Sequence, residues 1–168
     1  GVTIKSVTVG TADTKATADI RQDVLEIKLQ NPFIYIVYDS KWSLDELWHK
    51  YPVDDIYRRY YEIMFDLVKS DLFTQLAHPD TIKMFNYYPS YDLTETYNVL
   101  AELLNEHNMK VENNVGCYYR YHHKDKGLAS DLLKIFKDHN CKMITVSDAH
   151  YPKDVGNCIK DVWDITMY

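Results

Sequence analysis

The chain has 168 residues, 46% hydrophobic and 26% charged, with a formal net charge of −6. That is one domain's worth of material with enough apolar residues for a core, and an acidic chain with scattered lysines argues against nucleic acid as a partner, because phosphate backbones call for a basic face. No apolar run approaches the ~20 residues that span a bilayer, and Cys117, Cys141 and Cys158 form no CxxC pair, so reduced thiols and a cytoplasmic location are expected.

The opening "GVTIKSVTVG" alternates polar and apolar residues, unlike a signal peptide, and residues 2–9 read as a strand. With no initiator Met, a missing N-terminal segment is expected. Residues 18–29 carry Ile20, Val24, Leu25 and Ile27 at helical spacing, and "FIYIVY" at 33–38 is a β-branched and aromatic strand. Residues 54–69 predict an amphipathic helix with Asp54 as cap and Ile56, Tyr60, Ile63, Met64 and Leu67 inward. A short strand follows at 72–77. Asp92 to Glu95 has the pattern of a capping box that opens a helix running to about His107. Further on come a strand from 109, a helix at 128–139, a strand at 141–146 and a last helix at 157–166. Strand and helix alternate, which predicts βαβ crossovers and a parallel sheet or barrel in a single domain, residues 1–168. No glycine-rich phosphate loop is present, so a nucleotide-binding doubly wound fold is not expected.

In parallel α/β proteins the chemistry collects on loops beyond the C-terminal ends of the strands. Three such loops carry candidate groups here. Beyond 72–77 lie His78 and Asp80. Beyond the strand from 109 lie Glu112, Asn114, Arg120, His122 and His123. Beyond 141–146 lie Asp148 and His150. Imidazole and carboxylate together suit Zn, Mn or Fe, and Asp-x-His offers two ligands that diverge from one turn. Each loop alone has a plainer reading. "HPD" is a turn sequence, "SDAH" is a helix N-cap, and a single His beyond a strand is usually a hydrogen-bonded structural residue. His107 and His139, near helix C-termini, read as structural, as does His49.

"LAHPDTIKMF", "VENNVGCYYRYHHKDKGLASDLLKIF" and "MITVSDAHYPKDVG" resemble the last three strand-loop blocks of the polymerase-and-histidinol-phosphatase (PHP) superfamily, in its histidinol-phosphatase-like branch. "ADIRQDVLEIKLQNPFIYIVYDSKW" is similar to the preceding block, and the resemblance covers about residues 7–160. It implies an α/β chain whose parallel strands alternate with helices in an incomplete, distorted (β/α)7 barrel of the PHP type. The family's activity is hydrolysis of phosphate esters by a metal-bound hydroxide. By the same resemblance His78, Asp148 and His150 are metal ligands, Asn114 lines the site, and Arg120 with His122 or His123 meets the phosphate of a small phosphorylated substrate. The cofactor implied is a divalent transition metal, Zn, Mn or Fe, incompletely liganded in this chain.

The departures set a limit on activity. The family's opening HxH motif has no counterpart here, and the chain begins near the family's third strand. Thr11 or Ala12 stands where the family has a bridging Glu, and Tyr38 where it has a His. Two readings follow: the C-terminal portion of a metal-dependent phosphoesterase, or a non-catalytic PHP-like domain that binds metal, phosphate or a protein partner. A barrel short of its first units also exposes strand edges, which predicts a homo-oligomer or pairing with the missing N-terminal segment.

Overall fold

The computed structural model describes residues 7–11, 14–18 and 48–167. The chain divides into two compact units, residues 1–50 and 51–168. In the first, β1 (Val7–Thr11) and β2 (Thr14–Ala18) pair antiparallel, in a register that runs from Val7↔Ala18 to Thr11↔Thr14. This corrects the expectation of a single strand there. Threonine favours strands, and the Thr8↔Thr17 and Thr11↔Thr14 rows put β-branched residues opposite each other. The expected helix at 18–29, apart from Ala18, and the expected strand at 33–38 lie outside the described residues.

The second unit opens with α1 (Val53–Lys69). Its buried stripe is Ile56, Tyr57, Tyr61, Met64 and Val68, turned from the predicted one so that Tyr60, Ile63 and Leu67 are only half-buried. Two tyrosines set that phase. Tyr57 Oη donates to the Tyr87 carbonyl at 2.7 Å, and the Tyr61 ring meets Tyr97 edge-on at 5.7 Å. Asp54 does not cap α1. It accepts from the Ser90 N–H and hydroxyl, each at 2.7 Å, and these bonds hold its carboxyl below the ordinary carboxylate range.

The sheet has three parallel strands in sequence order: β3 (Gln75–Leu76), β4 (Lys110–Asn114) and β5 (Met143–Val146). The connections carry α2 (Thr94–Glu106) between β3 and β4, then α3 (Gly116–Tyr121) and α4 (Ser130–Asp138) between β4 and β5. The chain ends in α5 (Ile159–Met167). The chain is therefore α/β, with an open sheet; the described residues close no barrel. Asp92 opens α2, but its Oδ1 accepts from Thr94 N and Oγ1, at 2.8 and 2.6 Å, rather than from Glu95. α3 was not predicted, so Arg120 lies on a helix and not in a loop.

Strand alternation gives the sheet two faces. Leu76, Val111, Asn113, Met143 and Thr145 share one, and Gln75, Glu112, Asn114, Ile144 and Val146 share the other. Right-handed crossovers put α2 and α4 on the same side, where they pack together. The first face meets that layer. Leu100, Leu104, Leu132, Phe136, Val111 and Val162 form a core with no solvent exposure. Asn113 is the polar tie within it: Nδ2 donates to Thr166 Oγ1 of α5 at 2.8 Å, and Oδ1 accepts the Leu128 N–H at 2.8 Å on the approach to α4.

Gly127 makes room for that tie, since a Cβ there would stand 2.1 Å from Asn113 Oδ1. Gly127→Ala is expected to lower unfolding free energy by about 1–3 kcal/mol through overpacking. A urea midpoint equal to wild type would contradict this.

Candidate functional site

The second residue beyond each parallel strand falls on one edge of the sheet: His78 after β3, Gly116 after β4 and Asp148 after β5. His78 and Asp148 both have left-handed backbone, with φ of 30° and 51°. For an L-residue that costs roughly 1–2 kcal/mol, and such strain persists only where the surroundings over-determine it. Six other described non-glycine residues have positive φ, Asp71, Asn86, Asn108, His122, Asn140 and Cys158, of which His122 closes α3.

Asp148 is fixed from α3. Arg120 Nη1 donates to its Oδ2 and to its carbonyl, both at 3.0 Å, and Tyr119 Oη donates to the Ser147 carbonyl at 2.8 Å. Arg120 Nη2 reaches Tyr121 Oη at 3.1 Å, and the guanidinium stands 5.2 Å from that ring. Gly116 permits the approach: a Cβ there would lie 2.6 Å from Asp148 Oδ2 and 3.0 Å from Asn114 Oδ1. Asn114 Oδ1 accepts the Gly116 N–H at 2.8 Å, and its Nδ2 donates to Glu112 Oε2 at 3.1 Å. Glu112 Oε2 also accepts the His78 N–H at 3.1 Å. A line of hydrogen bonds thus joins the turn after β3 to the end of β4 and the start of α3.

The predicted residues therefore fall into groups. Asn114 and His78 meet through Glu112, and Arg120, Asp148 and His150 form a second cluster, with His150 Nε2 3.8 Å from Asp148 Oδ1. His122 is exposed at the end of α3. His123 turns inward: its side chain has no solvent exposure and bonds with Tyr88 and Asp125. Sequence reasoning passed over Gly116 and took Glu112 for a loop residue. The available signal was a glycine two positions beyond a strand in a chain with only five. Two of the three histidines read as structural have hydrogen-bond partners. His107 Nδ1 lies 2.6 Å from Asp71 Oδ1, and His139 Nε2 2.8 Å from Asn98 Oδ1.

Imidazole and carboxylate donors suit a divalent transition metal. The Asp148–His150 spacing of 3.8 Å fits two ligands each ~2.0–2.2 Å from one ion. Among the described residues no group of three or more His, Cys, Asp or Glu side chains is placed to hold an ion. Asp148 and His150 fit a divalent ion as two of its ligands. No described helix is long and apolar enough to cross a membrane. The three cysteines are free thiols, and burial pushes those of Cys117 and Cys141 up to about 11.

A second polar cluster lies under the loop after α3. Lys83 is 4% exposed. Its Nζ stands 2.8 Å from Asp80 Oδ2 and 3.7 Å from Asp125 Oδ2, and it donates to the Gly127 carbonyl. Asp80 also accepts the Ala129 N–H at 2.8 Å. The turn reading of "HPD" accounts for Asp80, which braces this loop.

No protein-family model matches the chain, and no curated protein is significantly similar to it.

His123 yields a pH prediction. The Asp125 N–H donates to Nδ1 at 3.1 Å, so in the neutral ring Nε2 carries the proton toward Tyr88 Oη, also at 3.1 Å. Burial first, and then the charge of Lys83, lower its pKa from 6.5. The unfolded chain then binds the proton first as pH falls. The stabilisation is complete above 6.5 and is lost as pH drops from there through the folded pKa. His123→Asn keeps an acceptor for Asp125 and cannot titrate. Unfolding free energy measured across this range should fall less steeply for the variant; parallel curves would contradict the assignment.

Proposed function

We propose that the chain is the C-terminal portion of a phosphoesterase of the PHP type, in its histidinol-phosphatase-like branch, acting on small phosphate monoesters. The observation that carries this reading is the left-handed strain at both His78 and Asp148, each two residues beyond a parallel strand on one edge of the sheet. Strain of this kind gathers at functional sites. The one-sided helix layer supports the barrel part of the reading, because a barrel carries its helices outside and keeps its other face for the interior. On that face lie Gln75, Glu112 and Asn114.

The roles follow from chemistry. Arg120 is the phosphate-binding group, since its planar fork matches phosphate oxygens. Asn114 orients the phosphoryl group beside it, and His122, exposed at the end of α3, is a second group for it. His78, Asp148 and His150 are the ligand positions for Zn, Mn or Fe. A divalent ion there supplies charge neutralisation at the phosphoryl oxygens. His123 supports α3 from beneath and does not touch substrate.

The second reading, a PHP-like domain that binds without turnover, gains from a specific observation. Asp148 Oδ2 is already held by Arg120, and among the described residues His150 stands beside its other oxygen. For this chain by itself binding without turnover is the expected behaviour. The outer edges of β3 and β5, which no described strand covers, are expected to pair with a second copy in a two-fold dimer, which sedimentation across a concentration series reads directly.

The purified chain should bind no more than one or two Mn²⁺ ions weakly, lose that binding in Asp148→Asn, and hydrolyse an aryl phosphate negligibly. Three tightly held ions, or metal-dependent turnover abolished by Asp148→Asn, would contradict the ligand deficit. Mn²⁺ binding that is absent, or indifferent to Asp148→Asn, would contradict the shared site itself.

A further inference from the structure

Taking a carboxylate out of water is costly unless its charge is held. Glu112 is 7% exposed in the middle of β4, and the partners it has among the described residues are neutral donors. Gln75 Nε2 donates to Oε1 at 2.7 Å, while the His78 N–H and Asn114 Nδ2 both donate to Oε2 at 3.1 Å. Pairing of the strands needs none of this. β3 and β4 are already joined through Gln75↔Lys110 and Leu76↔Val111, and a β-branched residue would suit a strand better at 112.

Accepting all three bonds at once is what an ionised carboxylate does and a shorter or apolar side chain does not. Two of the three donors belong to residues of the rim. One is the amide of His78, whose φ of 30° needs external support. The other is the side chain of Asn114, whose Oδ1 in turn takes the Gly116 N–H beside Asp148.

We propose that Glu112 is the positioning residue of this site. One oxygen, Oε2, sets the turn that carries His78 and the amide plane of Asn114 in fixed relation to Asp148 and Arg120. This role rests on the rim being a metal-assisted phosphoester site. It acts through where the oxygen stands, not through net charge.

Two conservative variants of the full chain separate position from charge. Glu112→Gln keeps an oxygen for His78 and Asn114, and its NH2 is met by Gln75 once that amide turns over. Glu112→Asp keeps the charge and draws the oxygens back by one methylene. Mn²⁺ affinity, read by loss of the free-ion EPR signal, should stay within about threefold of wild type in Glu112→Gln and fall roughly 10- to 100-fold in Glu112→Asp. The His78 amide resonance should move in Glu112→Asp and hold in Glu112→Gln. The reverse order, or equal affinity in both variants with both folded, overturns the positioning role. Wild-type binding that is lost in Asp148→Asn yet unchanged in Glu112→Asp overturns that role alone. Absence of saturable Mn²⁺ binding in wild type overturns the reading of the rim, and Glu112 is then a structural carboxylate only.

Discussion

Asp148 comes so close to Gly116 that a single carbon on that glycine would stand 2.6 Å from its carboxylate oxygen. The missing Cβ lets the loop after β5 lie against the first turn of α3. Arg120, one helical turn further on, can then hold both the carboxylate and the carbonyl of Asp148. Those bonds sustain a left-handed backbone at Asp148, and that turn sends His150 back beside Oδ1. Register does the rest. Parallel strands paired from Val111↔Met143 to Asn114↔Val146, and through Gln75↔Lys110 and Leu76↔Val111, bring the three strand ends to one edge.

Charge is handled differently at each buried or half-buried carboxylate of this edge. Asp80 takes the ammonium of Lys83, almost fully enclosed, and a pair of that kind costs about 3–5 kcal/mol when one partner is removed. Asp148, its side chain 30% exposed, takes the guanidinium of Arg120, which is 20% exposed. Glu112, among the described residues, takes neutral donors. The first ties the loop after α3 to the turn after β3, the second faces the site, and the third lies on the sheet face away from the helices. The graded arrangement encloses the Lys83–Asp80 brace and leaves Asp148 and His150 in contact with solvent.

The second unit was largely legible in the sequence. Apolar periodicity marks α1, α2 and α4 to within two residues, β5 follows from a short β-branched run with turn formers after it, and β4 from its place after α2, around Val111. The phase of α1 was not legible, because Tyr57 and Tyr61 go inward to meet Tyr87 and Tyr97, and periodicity cannot weigh a tyrosine's two ends. α3 was hidden by its composition: Gly116 at its start and histidines at its end resemble a loop. The β1–β2 pair was missed because Thr14–Ala18 holds one short polar run and no apolar stripe. Of the site, the edge and its Asp148–His150 pair could be read from strand ends. Glu112 could not, since a carboxylate facing inward from a strand looks in sequence like the first residue of a loop. The commitment of His123 to Tyr88 depends on a contact 35 residues away.

The account stands on His78, Asn114, Asp148 and His150 belonging to one site. Paramagnetic broadening by Mn²⁺ in the ¹H–¹⁵N spectrum of the full chain tests that most directly. At substoichiometric ion the account predicts that signals of all four residues broaden together, ahead of the rest of the chain, and that Asp148→Asn removes the effect from each of them. Broadening confined to His150 and the exposed carboxylates, with His78 and Asn114 unchanged, would contradict it.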